Sequence, residues 1–142
     1  MHKFLIPIDG SPSALHALDY AIKIAKEHGS VEMHLLHVHP EPIVYGEIQV
    51  YVSREKMEAM QMAHSRDLLQ PAIEIAQASS VPYTSEILVG DTAHSICRRA
   101  DELNCDAIVM GTRGMSSIGN LVMGSVANKV IHLAKVPVTL VK

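Results

Sequence analysis

The sequence predicts an α/β fold, a doubly wound open sheet of parallel strands with helices on both faces. Three observations carry that expectation. Five short β-branched or aliphatic runs, Lys3–Ile8, Glu32–His39, Tyr83–Val89, Asp106–Met110 and Val136–Val141, alternate with stretches of helical periodicity. Those runs are nearly continuous in apolar residues, as strands covered on both faces require. Each connection between them is long enough for a crossover, and right-handed crossovers wind such a sheet in both directions.

The first helix follows from Ser11 as a cap, with Pro12 at the position where a missing N–H costs nothing. Leu15, Leu18, Ile22 and Ala25 then make one face, and Gly29 stands where a helix terminus favours positive φ. A second helix is expected from about Ser53 to Ser79, with Met62, Leu69, Ile73 and Ala76 in one stripe and Pro71 kinking or splitting it. Met57, Met60 and Met62 near its start suit either adaptable core packing or an exposed docking surface. Asp91 or Thr92 caps a third helix that faces inward with Ala93, Ile96, Ala100 and Leu103. The last helix begins near Ser125 and turns Val126, Val130 and Leu133 inward.

Two segments need separate comment. Residues 40–52, with Pro40, Pro42 and Gly46, fit no regular element and read as a loop at the strand ends, either a lid or a plain surface connection. The terminal run, Val136–Val141, is apolar and short, and Pro137, which cannot donate to a ladder, suits an edge or a strand-start position there. Pairing with its own copy in a second subunit would cover that edge and give a two-fold homodimer.

Bulk properties narrow the function. A chain of 142 residues fits one domain, residues 1–142, and its core is built from aliphatic side chains because aromatics are only 4% of the residues. A net charge of −3 and the lack of any basic stripe argue against nucleic-acid binding. The longest apolar run, Phe4–Ile8, is too short to enter a bilayer as a span, and Met1-His2-Lys3 leads into it without a cleavage site. A cytoplasmic location is the expectation. Cys97 and Cys105 form no CxxC pair and read as reduced, partly buried thiols. Of His34, His37 and His39, only the last two share a strand face, which makes a weak metal site.

The chemistry concentrates in Gly111-Thr-Arg-Gly114-Met-Ser-Ser-Ile-Gly119-Asn-Leu-Val-Met-Gly124-Ser125, between a strand and the last helix. Glycines there let a ligand approach the backbone, and successive amides plus a helix N-terminus favour an anion. Ser125 adds a hydroxyl, Arg113 a charge, and Ser116 and Ser117 lie in the same loop. The alternative is that the glycines merely turn a strand into a helix. Gly114 to Gly119 approaches GxxxxGK[ST], but Asn120 stands where lysine is required, and no GxGxxG follows the first strand.

The spacing Gly111-x2-Gly114-x9-Gly124-Ser125 resembles the signature of the ATP-binding branch of the universal stress protein family. Ile6-Pro-Ile-Asp-Gly-Ser11, His37-Val38, Val109-Met-Gly-Thr-Arg-Gly114 and Val136–Val141 look like that family's strand ends, so the resemblance spans nearly the whole chain apart from residues 40–60. It implies five parallel strands in the order 3-2-1-4-5 and a homodimer through the last strand. It also implies Asp9 at a ribose, Pro7 and Ile8 beside the nucleoside, and Val38 at adenine. Met110 would join them, and Gly111, Arg113, Gly114, Gly124, Ser125 and Val126 would line the phosphates. Asp9 also reads as a helix cap in its Asp-Gly-Ser-Pro turn, and the two roles are compatible.

The implied ligand is ATP, or AMP or ADP. Met115 stands where relatives commonly carry a basic residue, which leaves triphosphate charge for Mg²⁺ or Mn²⁺ to neutralise. The loop offers hydroxyls and one arginine but no evident general base, so a switch or sensor with little or no turnover is expected, acting on an unknown protein partner. Two alternatives stand beside it: a dimeric interaction module with an empty pocket, and an adenylating enzyme. The SGGxDS loop of related ATP-activating sheets is absent from Asp9-Gly-Ser-Pro-Ser13, which counts against the second.

Overall fold

The computed structural model describes residues 2–41, 53–113 and 123–142. The elements run β1 (His2–Pro7), α1 (Pro12–His28), β2 (Val31–His39), α2 (Arg54–Ser79), β3 (Tyr83–Val89), α3 (Thr92–Glu102), β4 (Ala107–Gly111), α4 (Ser125–Leu133) and β5 (Val138–Val141). All strand pairs are parallel, and the sheet order is β3-β2-β1-β4-β5. The expected fold class is therefore what the chain adopts, with strand limits shifted by one or two residues from the sequence reading.

Strand alternation sends neighbouring side chains of β1 to opposite cores. Ile6 joins Leu35, Val109 and the inner faces of α1 and α2, while Leu5 joins Leu36, Ile108 and the inner faces of α3 and α4. Ala14, Ala17, Ala21 and Ala25 are the small buried residues of α1 that let this helix lie close on the sheet. Its start is capped as expected, with the Ala14 amide donating to Ser11 Oγ at 3.2 Å. Its end is Gly29, at φ 66°, whose amide donates to the Ala25 carbonyl.

Several expectations need correction. Pro71 does not split α2, which runs unbroken from Arg54 to Ser79. Pro71 and Asp67 are both exposed, so the Asp67 carbonyl that loses its amide partner faces water. The buried stripe of α2 is Ser65, Leu69, Ala72 and Ala76, leaving Met62 and Ile73 only half-buried. Core packing does not account for the methionines: Met60 is exposed, and Met57 is half-buried outside both cores. In α4, Ala127 and Val130 are buried, Val126 is half-buried, and Leu133 is 40% exposed. The burial of β3 is patchy rather than two-sided, because it forms one edge of the sheet. β5 forms the other edge, and Pro137 stands just before it, where its carbonyl accepts from the Ile108 amide at 2.9 Å.

Cys97 and Cys105 are free and fully buried rather than partly so, and burial pushes both thiols up from their ordinary range. Among the described residues, no group of three His, Cys, Asp or Glu side chains is placed to hold a metal ion. No described helix is long and apolar enough to cross a membrane.

Candidate functional site

Ligands of open parallel sheets bind beyond the carboxyl ends of the strands, where the strand order reverses. Here that point lies between β1 and its neighbours β2 and β4. A cleft of about 420 Å³, its open mouth included, sits there. Pro7, Ile8, Asp9, Val38, Met110, Gly111, Arg113 and Val126, all singled out from the sequence, line it together.

The wall begins at the turn between β1 and α1. Gly10 takes φ 85°, a conformation other residues rarely adopt, and a Cβ there would lie 2.7 Å from Leu68 Cδ2. Asp9 Oδ1 accepts from the Ser11 amide at 2.9 Å and from the Ser11 hydroxyl at 2.5 Å. Asp9 is thus not itself the cap of α1. It orients Ser11, which is. Its second carboxylate oxygen makes no part of that arrangement, and the residue lines the cleft.

Gly111 has a structural reason of its own. A Cβ at this position would come within 2.7 Å of the Ser13 backbone carbon and oxygen, so the close approach it allows is to α1. Ser13 Oγ also accepts from the Arg113 amide at 3.3 Å, tying the end of β4 to the same turn while Arg113 stays exposed.

The start of α4 is different. Gly124 is its cap residue at φ −75°, an ordinary extended conformation, and no described side chain bonds the first amides. The Gly124 amide donates to the Thr112 carbonyl at 2.6 Å, which fastens this helix start to the end of β4. Val126 reaches the cleft, whereas Gly124 and Ser125 do not line it. Gly114, Met115, Ser116, Ser117 and Gly119 lie outside the described residues, as does the stretch of the 40–52 loop from residue 42 onward.

Four lining residues were not anticipated: Ala14, Leu36, Thr92 and Ile96. Leu36 was readable, because it lies two residues before Val38 and shares its strand face. Thr92 and Ile96 are one turn apart on α3, and their exposure to the cleft follows only from how that helix crosses the sheet.

Two histidines near the site have structural partners. His37 Nδ1 lies 2.7 Å from the Ile8 carbonyl, joining β2 to the cleft wall, and its ring sits 6.5 Å from that of His39. His34 Nδ1 lies 2.6 Å from Thr84 Oγ1, with Nε2 3.5 Å from Glu86 Oε1. Burial holds His34 below its ordinary pKa. Arg99 grips Glu86 through two hydrogen bonds of 2.7 and 2.9 Å and keeps that carboxyl low, clamping α3 to β3.

A family model described as "Universal stress protein family" matches residues 1–142. The chain is 33% identical to "Universal stress protein YxiE" of Bacillus subtilis, over 99% of both chains. It superposes on the universal stress protein UspA from Lactobacillus plantarum with a TM-score of 0.83 at 25% identity, covering 99% of this chain and 97% of that one. A universal stress protein from Archaeoglobus fulgidus, in complex with dAMP, shares the fold at 24% identity and a TM-score of 0.74, with 100% and 98% covered.

Proposed function

The chain belongs to the universal stress protein family, and from that premise we propose that it binds ATP in this cleft and acts as a nucleotide-dependent switch or sensor in a stress response, with little or no turnover. ADP and AMP fit the same site. The observation that carries the reading is the layout of the cleft. Leu36 and Val38 come from β2, Asp9 follows β1 and Arg113 follows β4, so apolar, acidic and basic side chains succeed one another in the order of the strands across the sheet. That sequence of surfaces suits a base, a ribose and a chain of phosphates. The likeness to the dAMP-bound Archaeoglobus fulgidus protein is one of fold, so the weight rests on the residues.

Slow or absent hydrolysis follows from what the lining lacks. Among the described residues of the lining the charged side chains are Asp9 and Arg113, and this reading puts Asp9 at the ribose rather than at the γ-phosphate. A γ-phosphate would therefore meet positive charge without a free base to activate water. Mg²⁺ or Mn²⁺ would arrive on the phosphate oxygens, as hard cations do in nucleotide sites, since no described cluster is arranged to hold one. The edge position of β5, with Ile131 and Leu133 each 40% exposed on the adjoining helix, supports a homodimer through Val136–Val141. A cytoplasmic location belongs to the same reading.

Calorimetric titration of nucleotide-free protein with ATP and Mg²⁺, beside the exposed-site variant Arg113→Ala, tests it. The wild type binds, and the variant loses more affinity for ATP than for AMP, because only the triphosphate reaches the cationic end. Absence of binding by the nucleotide-free wild type would overturn the reading in favour of a dimeric interaction module.

A further inference from the structure

The polar side chains of the cleft are few and widely placed. Asp9 follows the central strand β1, and Arg113 follows β4. The remaining one, Thr92, follows β3 and opens α3, on the opposite side of Asp9 from Arg113. Around it the lining is apolar: Leu36 and Val38 from β2 and Ile96 one turn along α3. Neighbouring polar groups are committed elsewhere, with Asp91 Oδ2 holding the His94 amide at 3.0 Å and its ring at 2.6 Å. Among the described lining residues, Thr92 is therefore the one that carries a hydroxyl, and it stands beside the apolar ones.

We propose that Thr92 is the specificity residue for the base: its hydroxyl accepts a hydrogen bond from the 6-amino group of an adenine seated against Val38 and Ile96, and so favours adenine over a purine without that group. The inference rests on the nucleotide site proposed above and deepens it. An apolar pocket alone discriminates poorly between bases of the same outline. A positioned hydroxyl does so because the analogue lacking its partner leaves it unpaired. Thr92 is suited to the task because its backbone is fixed. Asp91 caps α3, and the Ser95 amide donates to the Asp91 carbonyl at 2.9 Å, so the first residue of the helix cannot drift.

The test compares ATP with purine riboside 5′-triphosphate, each with Mg²⁺, on the wild type, Thr92→Val and Thr92→Ser. Valine keeps the shape and the helix start without the hydroxyl, and serine keeps the hydroxyl. The wild type should prefer ATP by about three- to ten-fold, the net worth of one neutral hydrogen bond. Thr92→Val should abolish that preference by weakening ATP alone, and Thr92→Ser should restore it. Loss of the same factor for ATP and AMP is expected, because the base end does not sense phosphates. An ATP preference that is absent in the wild type, or survives Thr92→Val, overturns the proposal while leaving ATP binding intact. Failure of the wild type to bind either compound instead refutes the nucleotide site itself.

Discussion

Two helices rise from the carboxyl ends of adjacent strands, and they begin in opposite ways. At α1 every nearby polar group turns inward: Ser11 accepts the Ala14 amide, and Asp9 holds Ser11 from the other side. At α4 the cap residue is Gly124, and no described side chain takes the first amides. The starts of α2 and α3 follow the first pattern, with Ser53 accepting from Lys56 and Asp91 from His94. A side-chain cap contributes about 1 kcal/mol to helix stability. A helix that forgoes it, beside a cleft, leaves its amides to an outside anion. Closed helix starts hold this fold together, and the open one is where the proposed nucleotide would place its phosphates.

The joint between the two starts is Gly111, packed against the Ser13 backbone of α1. Gly111→Val should force the end of β4 off α1, at a cost of about 3 kcal/mol. Urea denaturation should show a lower midpoint with an unchanged slope. A midpoint equal to that of the wild type would mean that Gly111 serves a ligand rather than the packing.

Gly124→Asp converts the open start into a closed one. Its backbone already has the extended geometry of a capping residue, so the substitution fits without strain. Thermal stability should rise by a few tenths of a kcal/mol. ATP affinity should fall by about tenfold, because a carboxylate now occupies the space proposed for phosphate. A variant that binds ATP as the wild type does would place the phosphates elsewhere. The reverse change, Ser11→Ala, removes a cap from a closed start and should cost about 1 kcal/mol. Unchanged stability there would show that Asp9, released from Ser11, can take over the amides.

This contrast also explains what the sequence could and could not disclose. Closed starts are local: Ser11 was legible as a cap and Asp91 as one of two candidates, because a capping side chain lies three residues before the amide it serves, while Ser53 was legible only as the start of a helix. The strand alternation that set the sheet, and the strand ends at Asp9, Val38 and Gly111 that meet in the cleft, were legible for the same reason. The glycine spacing pointed to the segment between β4 and α4, yet it could not separate Gly111, which packs on α1 and lines the cleft, from Gly124, which caps α4 and does not line it. Thr92 and Ile96 were missed because their place depends on how α3 crosses the sheet. Of the two outcomes open for Pro71 the split does not occur, because propensity is local, whereas the unbroken course of α2 reflects Leu69, Ala72 and Ala76 packed on either side of it.

The closed starts differ among themselves in the chemistry of the cap, and acid separates them. Ser11 is a hydroxyl and does not titrate, whereas Asp91 caps as a carboxylate. Its carboxyl is held below its ordinary 3.8 by the hydrogen bond from the His94 amide first, and by the His94 ring second. Folding therefore favours the ionised form. The contribution of this cap is complete above the ordinary value and disappears as pH falls through the lower folded one. Asp91→Asn keeps an oxygen for the His94 amide but cannot ionise. The difference in stability between wild type and variant should stay constant at neutral pH and shrink on acidification below about pH 4. Glu86 titrates in both proteins and cancels in that difference. Amide exchange at His94 should follow the same course in the wild type, while in Asp91→Asn it should show no such step. A step of equal size in both proteins would mean that acid loosens the whole domain before it reaches the cap.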